Sequence, residues 1–435
     1  MRELFQIHSQ NPCQNVHSVS DDGSLVAIVV KDKVVLKTQR GKQFDEVNVE
    51  SNDIFTTKFN SRGTLLIVAY KNRNHITLWK KADQGGIIDV GFKDPSLIIW
   101  SPTEDIFCMG TENGNLVIYN VANEKLDKIL RKHSDEITCG IWTCENMLVL
   151  GSKDKTISLS SGDGQTIKIM SLGAYSFPRE ITYAHVDQCH MIVAAVDPGI
   201  CFLDTSTLQM NVVDLHDDIG YVGCLFALPD CRSIIIATTK GIFASVTNPL
   251  LDQNEDNYYK RLRLYSGHIN FISCCTETQS FLMTNEENIC IFQYRDGMVH
   301  EHLTLPIESA KCIKSSQNGE VVLVNTLKVA YVFQSNAPSL TCSHKDKVAF
   351  MSTLGKVTVV DHLQEKLLTI SIQPESDIIG LGPSHLVVGC GNSVYVYEYK
   401  TQNDNIKSQI ITLNKEAKVS LLDEIRFELF FSKDS

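Results

Sequence analysis

A nucleophilic catalytic centre needs a serine or cysteine, a base such as histidine and an orienting acid, all brought together in space. The chain holds 13 histidines and 14 cysteines, so chance candidates are plentiful, but no catalytic motif surrounds any of them. The histidines that recur, His133 and His268, each come just before a run of strand-like residues. A structural hydrogen bond explains this placement better than catalysis, and we expect a protein without enzyme activity.

Metal and phosphate sites have equally little support. The sequence contains no Cys-x-x-Cys pair, and Cys189-His190 has no second pair nearby. The glycine-containing stretches SGDGQTIK and GLGPSHLVVGCG lack the following helix and the Gly-Lys-Ser/Thr of a phosphate-binding loop. Cysteines such as Cys139 and Cys201 lie inside apolar runs, where a thiol behaves as a small hydrophobe. We therefore expect no metal and no cofactor.

Composition narrows the classes of function further. The 435 residues are 43% hydrophobic and carry a net charge of -11, which argues against binding of a nucleic-acid backbone. No apolar run approaches the roughly 18 residues that cross a bilayer, and the N-terminal MRELFQIHSQNPCQN lacks the apolar core of a signal peptide. The cysteine placement favours a reducing, cytosolic compartment.

A repeat of about forty residues organises the chain. Short alternating runs such as NHITLWK and NGNLVIYN carry one matching apolar position each, and these positions are separated by 42, 40, 41, 43, 43, 46 and 41 residues. The positions are Val34, Ile76, Leu116, Ile157, Ile200, Phe243, Ile289 and Ala330. Apolar runs and short polar turns recur at a spacing typical of four antiparallel strands per unit, and helical periodicity is almost absent. The pattern predicts a WD40-type β-propeller of seven or eight blades.

WD repeats link a histidine, a serine or threonine, an aspartate and a tryptophan by buried hydrogen bonds. The stretch DEITCGIWTCENMLVLGSKDKTISLSS, with the histidine just before it, keeps most of this set. His133, Ser152 and Asp154 take the first three places, and we predict that they form a structural tetrad. Ser160 and Ser161 stand where the repeat has Trp-Asp, so the array has diverged without losing its rhythm.

The rhythm changes after Phe333. The polar stretch SNAPSLTCSHKDK precedes strand-like runs at Val357 and Val394, which are too few for a second ring. We therefore predict one all-β propeller over residues 1–336, followed by an incomplete second propeller over 337–435, and we expect the chain to be truncated relative to a longer parent.

Three stretches carry a family resemblance: GTENGNLVIYN (110–120), the long segment 132–167, and PSHLVVGCGNSVYVYEY (383–399). In these segments the chain resembles the WD-repeat subunits of intraflagellar transport complex A. The resemblance implies tandem propellers, followed in the family by tetratricopeptide helices that this sequence lacks. It also implies a scaffold or adaptor role in retrograde ciliary transport, ciliary receptor admission and cilium assembly, with other complex A subunits as partners.

The role of one stretch of the sequence stays open. The stretch 248–268 brings together tyrosines and basic residues, which interfaces favour: Tyr258, Tyr259, Lys260, Arg261 and Arg263. This stretch is either a partner-binding loop or a solvated hairpin with stacked tyrosines.

The protein is expected in the cytoplasm and in the cilium with its basal body. A vesicle-coat subunit, a ubiquitin-ligase substrate receptor and an enzyme with a pocket in the channel remain as alternatives.

Overall fold

The computed structural model consists of β-strands joined by short turns, with one 3₁₀ turn at Asp217–Ile219. It describes residues 2–8, 17–31, 33–49, 53–186, 189–215, 217–251, 258–326, 328–334, 341–353, 356–361, 363, 366–372, 378–390, 393–398, 407–412, 417–421 and 427–431.

Eight four-stranded antiparallel sheets follow one another from the N-terminus. The first four consist of Ser18–Val19, Leu25–Val30, Lys33–Thr38 and Gln43–Asn48; Ile54–Phe59, Leu65–Tyr70, His75–Lys80 and Asp83–Asp89; Pro95–Trp100, Ile106–Thr111, Leu116–Asn120 and Lys125–Ile129; and Ile137–Trp142, Met147–Ser152, Thr156–Ser161 and Thr166–Ser171.

The fifth to seventh sheets repeat the plan. They consist of Glu180–Val186, Cys189–Val196, Gly199–Asp204 and Met210–Asp214; Val222–Ala227, Ser233–Thr238, Ile242–Thr247 and Tyr259–Leu264; and Phe271–Cys275, Ser280–Thr284, Asn288–Arg295 and Met298–Pro306. The eighth sheet has the order Arg2–His8, Val329–Gln334, Val321–Asn325, Cys312–Ser315, so its outermost strand comes from the start of the chain.

The first strands of the eight sheets line up side by side and close a ring. Each contacts the first strand of the next sheet, and Ser18–Val19 contacts Cys312–Ser315, which joins the first sheet to the eighth. The backbone NH of Gln317 donates to the carbonyl of Asp21 at 3.0 Å across this seam. The predicted WD40-type propeller is therefore confirmed, and it has eight blades.

Position within a sheet sets how much of each strand is covered. The second strand is the most buried, since every residue of Leu65–Tyr70 and of Ile106–Thr111 is enclosed, whereas outermost strands such as Gln43–Asn48 are largely exposed. The eight repeat positions predicted from the sequence all lie on third strands and are each no more than 1% exposed. Apolar clusters fill the spaces between successive sheets, which is how the ring is held together.

Two compact units can be distinguished. One comprises Ile7–Gln39 and Gln43–Ala330, and the other comprises Met1–Gln6, Arg40–Lys42 and Tyr331–Ser435. The predicted boundary between residues 336 and 337 falls at 335–340, outside the described residues, and stays a prediction.

The C-terminal part builds two more four-stranded sheets and a hairpin. The strands are Thr341–His344, Lys347–Thr353, Lys356–Asp361 and Lys366–Ser371; Ile378–Leu381, His385–Cys390, Ser393–Glu398 and Lys407–Thr412; and the paired strands Ala417–Leu421 and Phe427–Phe431. First strands again lie next to one another in chain order, and an apolar cluster that includes Val357 and Leu386 packs between the two sheets.

Candidate functional site

The fourth sheet brings the predicted tetrad residues together. His133 precedes its first strand, and the imidazole Nδ1 lies 3.1 Å from Oδ2 of Asp154 and 3.0 Å from Oγ1 of Thr156. The other ring nitrogen, Nε2, lies 2.9 Å from the hydroxyl of Ser158. Burial lowers the pKa of His133, although Asp154 opposes the shift, so the ring is neutral at physiological pH. A carboxylate only accepts hydrogen bonds, so Nδ1 carries the proton and Nε2 accepts from Ser158.

Asp154 organises the turn that faces His133. Its carboxylate accepts hydrogen bonds from the backbone NH of Ser134 at 2.9 Å and from the hydroxyl of Thr156 at 2.6 Å. Burial would raise the pKa of Asp154, but these hydrogen bonds and His133 outweigh it and hold the pKa below its usual value. Ser152 accepts from the backbone NH of Asp154 and donates to the carbonyl of Asp135, both at 3.1 Å.

Ser158, His133 and Asp154 have the connectivity of a catalytic Ser–His–Asp relay, with one ring nitrogen on each partner. Solvent access decides the role. Ser158 is 0% exposed and His133 is 3% exposed, so no substrate carbonyl could approach the hydroxyl. The hydrogen bonds therefore have a structural role: they hold the turn at Asp154 against the fourth sheet. Sequence reasoning missed Ser158, although the alternation in TISLSS points its side chain to the same face of the strand as Ser160.

Lys132 is a second residue that the sequence reasoning missed. Its side chain is buried beside the His133 network, and its ammonium group donates to Ser160, Gly164 and Thr166. Burial lowers its pKa to about 8. A lysine next to the histidine of a WD repeat would ordinarily be assigned to the surface, because lysine is rarely buried without partners.

The candidate partner loop requires a correction. Tyr259–Leu264 is not a loop but the outermost strand of the sixth sheet, paired with Ile242–Thr247. Tyr258 and Tyr259 pack against the apolar cluster between the fifth and sixth sheets. The basic residues of KRLRL favoured a loop in the sequence analysis. An outermost strand is exposed on one side, so charged residues are common in it as well. Residues 252–257 of the predicted loop lie outside the described residues.

The basic residues of this strand differ in environment. The guanidinium of Arg263 lies 3.1 Å from Glu301 of the seventh sheet and 5.2 Å from the ring centre of Phe292, so it links two neighbouring sheets. Lys260 and Arg261 are exposed, and Arg261 makes only a long contact of 3.9 Å with Asp218. Surface pairs of this kind contribute little to stability. Of the five predicted residues, Lys260 and Arg261 are the most available to a partner.

A more ordered surface group lies where the fifth and sixth sheets meet. The guanidinium of Arg179 is sandwiched between the rings of Phe177 and Tyr221, at 4.8 Å and 4.6 Å from their centres. Its Nε donates to Asp197 at 2.8 Å, which fixes the orientation of the fork. Tyr221 is 55% exposed. Exposed arginine and tyrosine held in one conformation are the residue types that dominate interface energetics, and sequence reasoning did not single them out.

Metal ligation and thiol reactivity were also considered in the part of the chain that the structure describes. No group of three or more His, Cys, Asp or Glu residues there could hold a metal ion. Burial raises the pKa of the Cys139 and Cys201 thiols to about 12, so neither supplies a thiolate. No helix among these residues has the length and hydrophobicity to span a membrane.

Comparison with known families decides where the chain belongs. The family model described as the WDR19 first β-propeller matches residues 17–328, which include the closed ring of eight sheets except for the strands Arg2–His8 and Val329–Gln334 of the eighth sheet. The chain belongs to the WDR19 family. The family's second β-propeller matches residues 348–427, in the same order along the chain. The resemblance predicted from the sequence is thereby confirmed for the propellers of the WDR19 family.

The chain is also similar in sequence to curated animal proteins. WD repeat-containing protein 19 of Mus musculus is 24% identical over 392 residues, and that of Homo sapiens is 24% identical over 391; both alignments cover 86% of this chain. WD repeat-containing protein dyf-2 of Caenorhabditis elegans is 22% identical over 413 residues and 91% of this chain. This WDR19-family chain spans 29% of the length of each of these curated relatives.

Proposed function

We propose that this chain is a non-catalytic scaffold or adaptor of intraflagellar transport complex A, working in retrograde ciliary transport, receptor admission and cilium assembly. Its proposed location is the cytoplasm and the cilium with its basal body. The observation that carries the proposal is the match to both WDR19 propellers in their family order. We further propose that residues 1–336 and 337–435 act as separate propeller domains.

The geometry supports binding by a preorganised surface. Antiparallel ladders within each sheet and apolar clusters between sheets make the ring stiff, so its turns need little ordering when a partner docks. Arg179 is already fixed by Asp197 and by two aromatic rings, and loses little side-chain entropy on binding. Ser158 and His133 of the fourth sheet are buried, which supports a structural role for their network.

Affinity purification of the tagged full chain from ciliated cells, with mass spectrometry of the bound proteins, tests the proposal. We expect other complex A subunits to be recovered and the tagged chain to reach the basal body and cilium. A double variant, Arg179→Ser with Tyr221→Ser, should fold normally and lose at least one of these partners, because it removes a fixed cation and its aromatic support.

Lys128→Ser is the matched control, since Lys128 is an exposed basic residue on the outermost strand of the third sheet. It should recover the same partners as the unaltered chain. Recovery of vesicle-coat subunits or of cullin machinery in place of complex A subunits would overturn the proposal. Normal recovery by the double variant would remove Arg179 and Tyr221 from the binding surface and leave the adaptor role to be judged from the partners alone.

A further inference from the structure

The first propeller contains an open cavity of about 440 Å³ that is lined by both polar and apolar groups. First strands of five sheets line it: the first, second, third, seventh and eighth. Hydroxyl groups line part of the wall, from Thr56, Ser96, Ser273 and Ser315; those of Thr56 and Ser96 already donate to the carbonyls of Thr57 and Ile137. A volume of this size falls within the range of small-molecule sites in proteins.

Two lysines line the same cavity. Lys58 belongs to the first strand of the second sheet and Lys314 to the first strand of the eighth. The side chain of Lys58 is exposed to the solvent of the channel. It has no hydrogen-bond or ion-pair partner for its ammonium group among the residues that the structure describes. Lys314 donates to the carbonyl of His17 at 2.9 Å, which holds its side chain across the seam of the ring.

Two carboxyl groups lie within the electrostatic reach of Lys58. Asp21 lines the cavity, and the charge of Lys58 acts on both Asp21 and Glu180. Desolvation dominates at both sites and raises the pKa of Asp21 to about 6 and that of Glu180 to about 7, so Glu180 is partly protonated at neutral pH. His17 adds no charge, because burial lowers its pKa to about 3.

Desolvation also lowers the pKa of Lys58 and of Lys314. The charge of Lys58 adds to the lowering at Lys314, whereas Asp21 and Glu180 oppose the lowering at Lys58. A channel wall that carries cationic side chains attracts anions, and Lys58 has no direct counter-ion among the described residues. Ammonium groups together with hydroxyl donors are the groups that bind phosphate and carboxylate oxygens.

We propose that this cavity binds a small oxyanion, with the ammonium groups of Lys58 and Lys314 as its charged ligands and the hydroxyls of Ser273 and Ser315 as neutral donors. The ligand would carry phosphate or carboxylate groups. The inference is independent of the proposed adaptor function, since it rests only on the cavity within the first propeller. An anion spanning the two lysines would also tie the second sheet to the eighth.

Isothermal titration calorimetry of the full chain at pH 7 and low salt tests the site, with pyrophosphate and citrate as separate probes. We expect at least one to bind. Lys58→Met and Lys314→Met should each weaken binding about tenfold or more, as loss of a charge-assisted contact would. Asp21→Asn should tighten binding about threefold, because it removes a competing carboxylate without adding bulk.

Lys128→Met serves as the control for net charge and should bind as the unaltered chain does. Binding of pyrophosphate alone assigns a phosphate ligand, binding of citrate alone assigns a carboxylate ligand, and either supports the site. Failure of both probes to bind at about 10 mM would overturn the proposal, as would equal affinity in folded Lys58→Met. If both lysine variants fail to fold, Asp21→Asn decides: unchanged or weaker binding would refute the site.

Discussion

The ammonium group of Lys132 lies 2.7 Å from the hydroxyl oxygen of Ser160. It also donates to the carbonyl of Gly164 at 2.9 Å and to Oγ1 of Thr166 at 2.6 Å, so three acceptors match its three hydrogens. Ser160 occupies the position at which a WD repeat has its tryptophan, and the side chain of Lys132 extends to this position. A buried cation thus replaces an indole as the link between the start of the sheet and the end of its third strand.

The Lys132 contact predicts a pH dependence of stability. Burial lowers the pKa of Lys132 to about 8, whereas lysine in an unfolded chain titrates near 10.4. Between these values the unfolded chain holds more protons, so the free energy of unfolding rises with pH. We expect it to rise by about 3 kcal/mol more in the unaltered chain than in Lys132→Met between pH 7.5 and 10.5. Urea denaturation at a series of pH values measures the difference, and identical pH profiles would contradict it.

Loss of the Asp154 carboxylate should weaken the fourth sheet. Asp154→Ala removes the acceptor for His133, Ser134 and Thr156 and leaves buried donors unpaired. We expect the free energy of unfolding to fall by about 1–3 kcal/mol, measured by chemical denaturation. Glu104→Ala, at an exposed position in the turn between the first two strands of the third sheet, is the control and should change stability by less than about 0.5 kcal/mol. An unchanged midpoint for Asp154→Ala would show that the network is not a stabilising tetrad.

Two glycines with the same backbone conformation should respond very differently to alanine. Gly114 has φ of +72° and Gly173 has φ of +62°, so both substitutions place a side chain in a strained region. A Cβ on Gly114 would lie 2.2 Å from the carbonyl oxygen of His133, whereas one on Gly173 would meet nothing within 4 Å. We expect Gly114→Ala to cost about 3 kcal/mol or more and Gly173→Ala about 1 kcal/mol. Equal melting temperatures would mean that the backbone around Gly114 yields freely.

Substitutions on the outermost strand of the sixth sheet should affect either stability or binding, depending on whether the side chain is buried or exposed. Tyr259→Ala should lower the free energy of unfolding by about 1–3 kcal/mol, because its ring packs against the cluster between two sheets. Lys260→Glu with Arg261→Glu should leave the melting temperature nearly unchanged, since both side chains are exposed. If this strand binds a partner, the double variant will lose that partner in a pull-down from ciliated cells. Retention of every partner by the double variant would assign the strand to ordinary surface.

The sequence predicted the ring because its signal recurs. Eight apolar positions at nearly constant spacing each had to occupy an equivalent place, and all of them lie on third strands in the structure. Blade number stayed open between seven and eight, because one unit could have been shared with the junction to the second propeller. The N-terminal strand-like run ELFQIH has no sheet of its own and predicts a pairing with the last sheet, and Arg2–His8 is the outermost strand of the eighth sheet.

The candidate sites were predicted less completely than the fold. His133 and Asp154 could be placed because a repeat position defines each of them, whereas Ser158 and Lys132 owe their roles to tertiary contacts. The basic strand Tyr259–Leu264 looked like a loop because charged residues suit both a loop and an outermost strand. Lys58 and Lys314 are 256 positions apart in the chain and share a cavity only once the ring has closed.

The seam between the first and eighth sheets has a consequence for synthesis. Lys314 contacts the carbonyl of His17 across a separation of 297 residues. At roughly 5–20 residues per second, a ribosome needs about 15–60 s to make the intervening chain. Throughout that time the apolar flank of the first sheet has no eighth sheet against it. The nascent chain therefore exposes this apolar edge until translation has passed Gln334, the end of the eighth sheet. We expect chaperones that bind exposed apolar surface to protect it during that time.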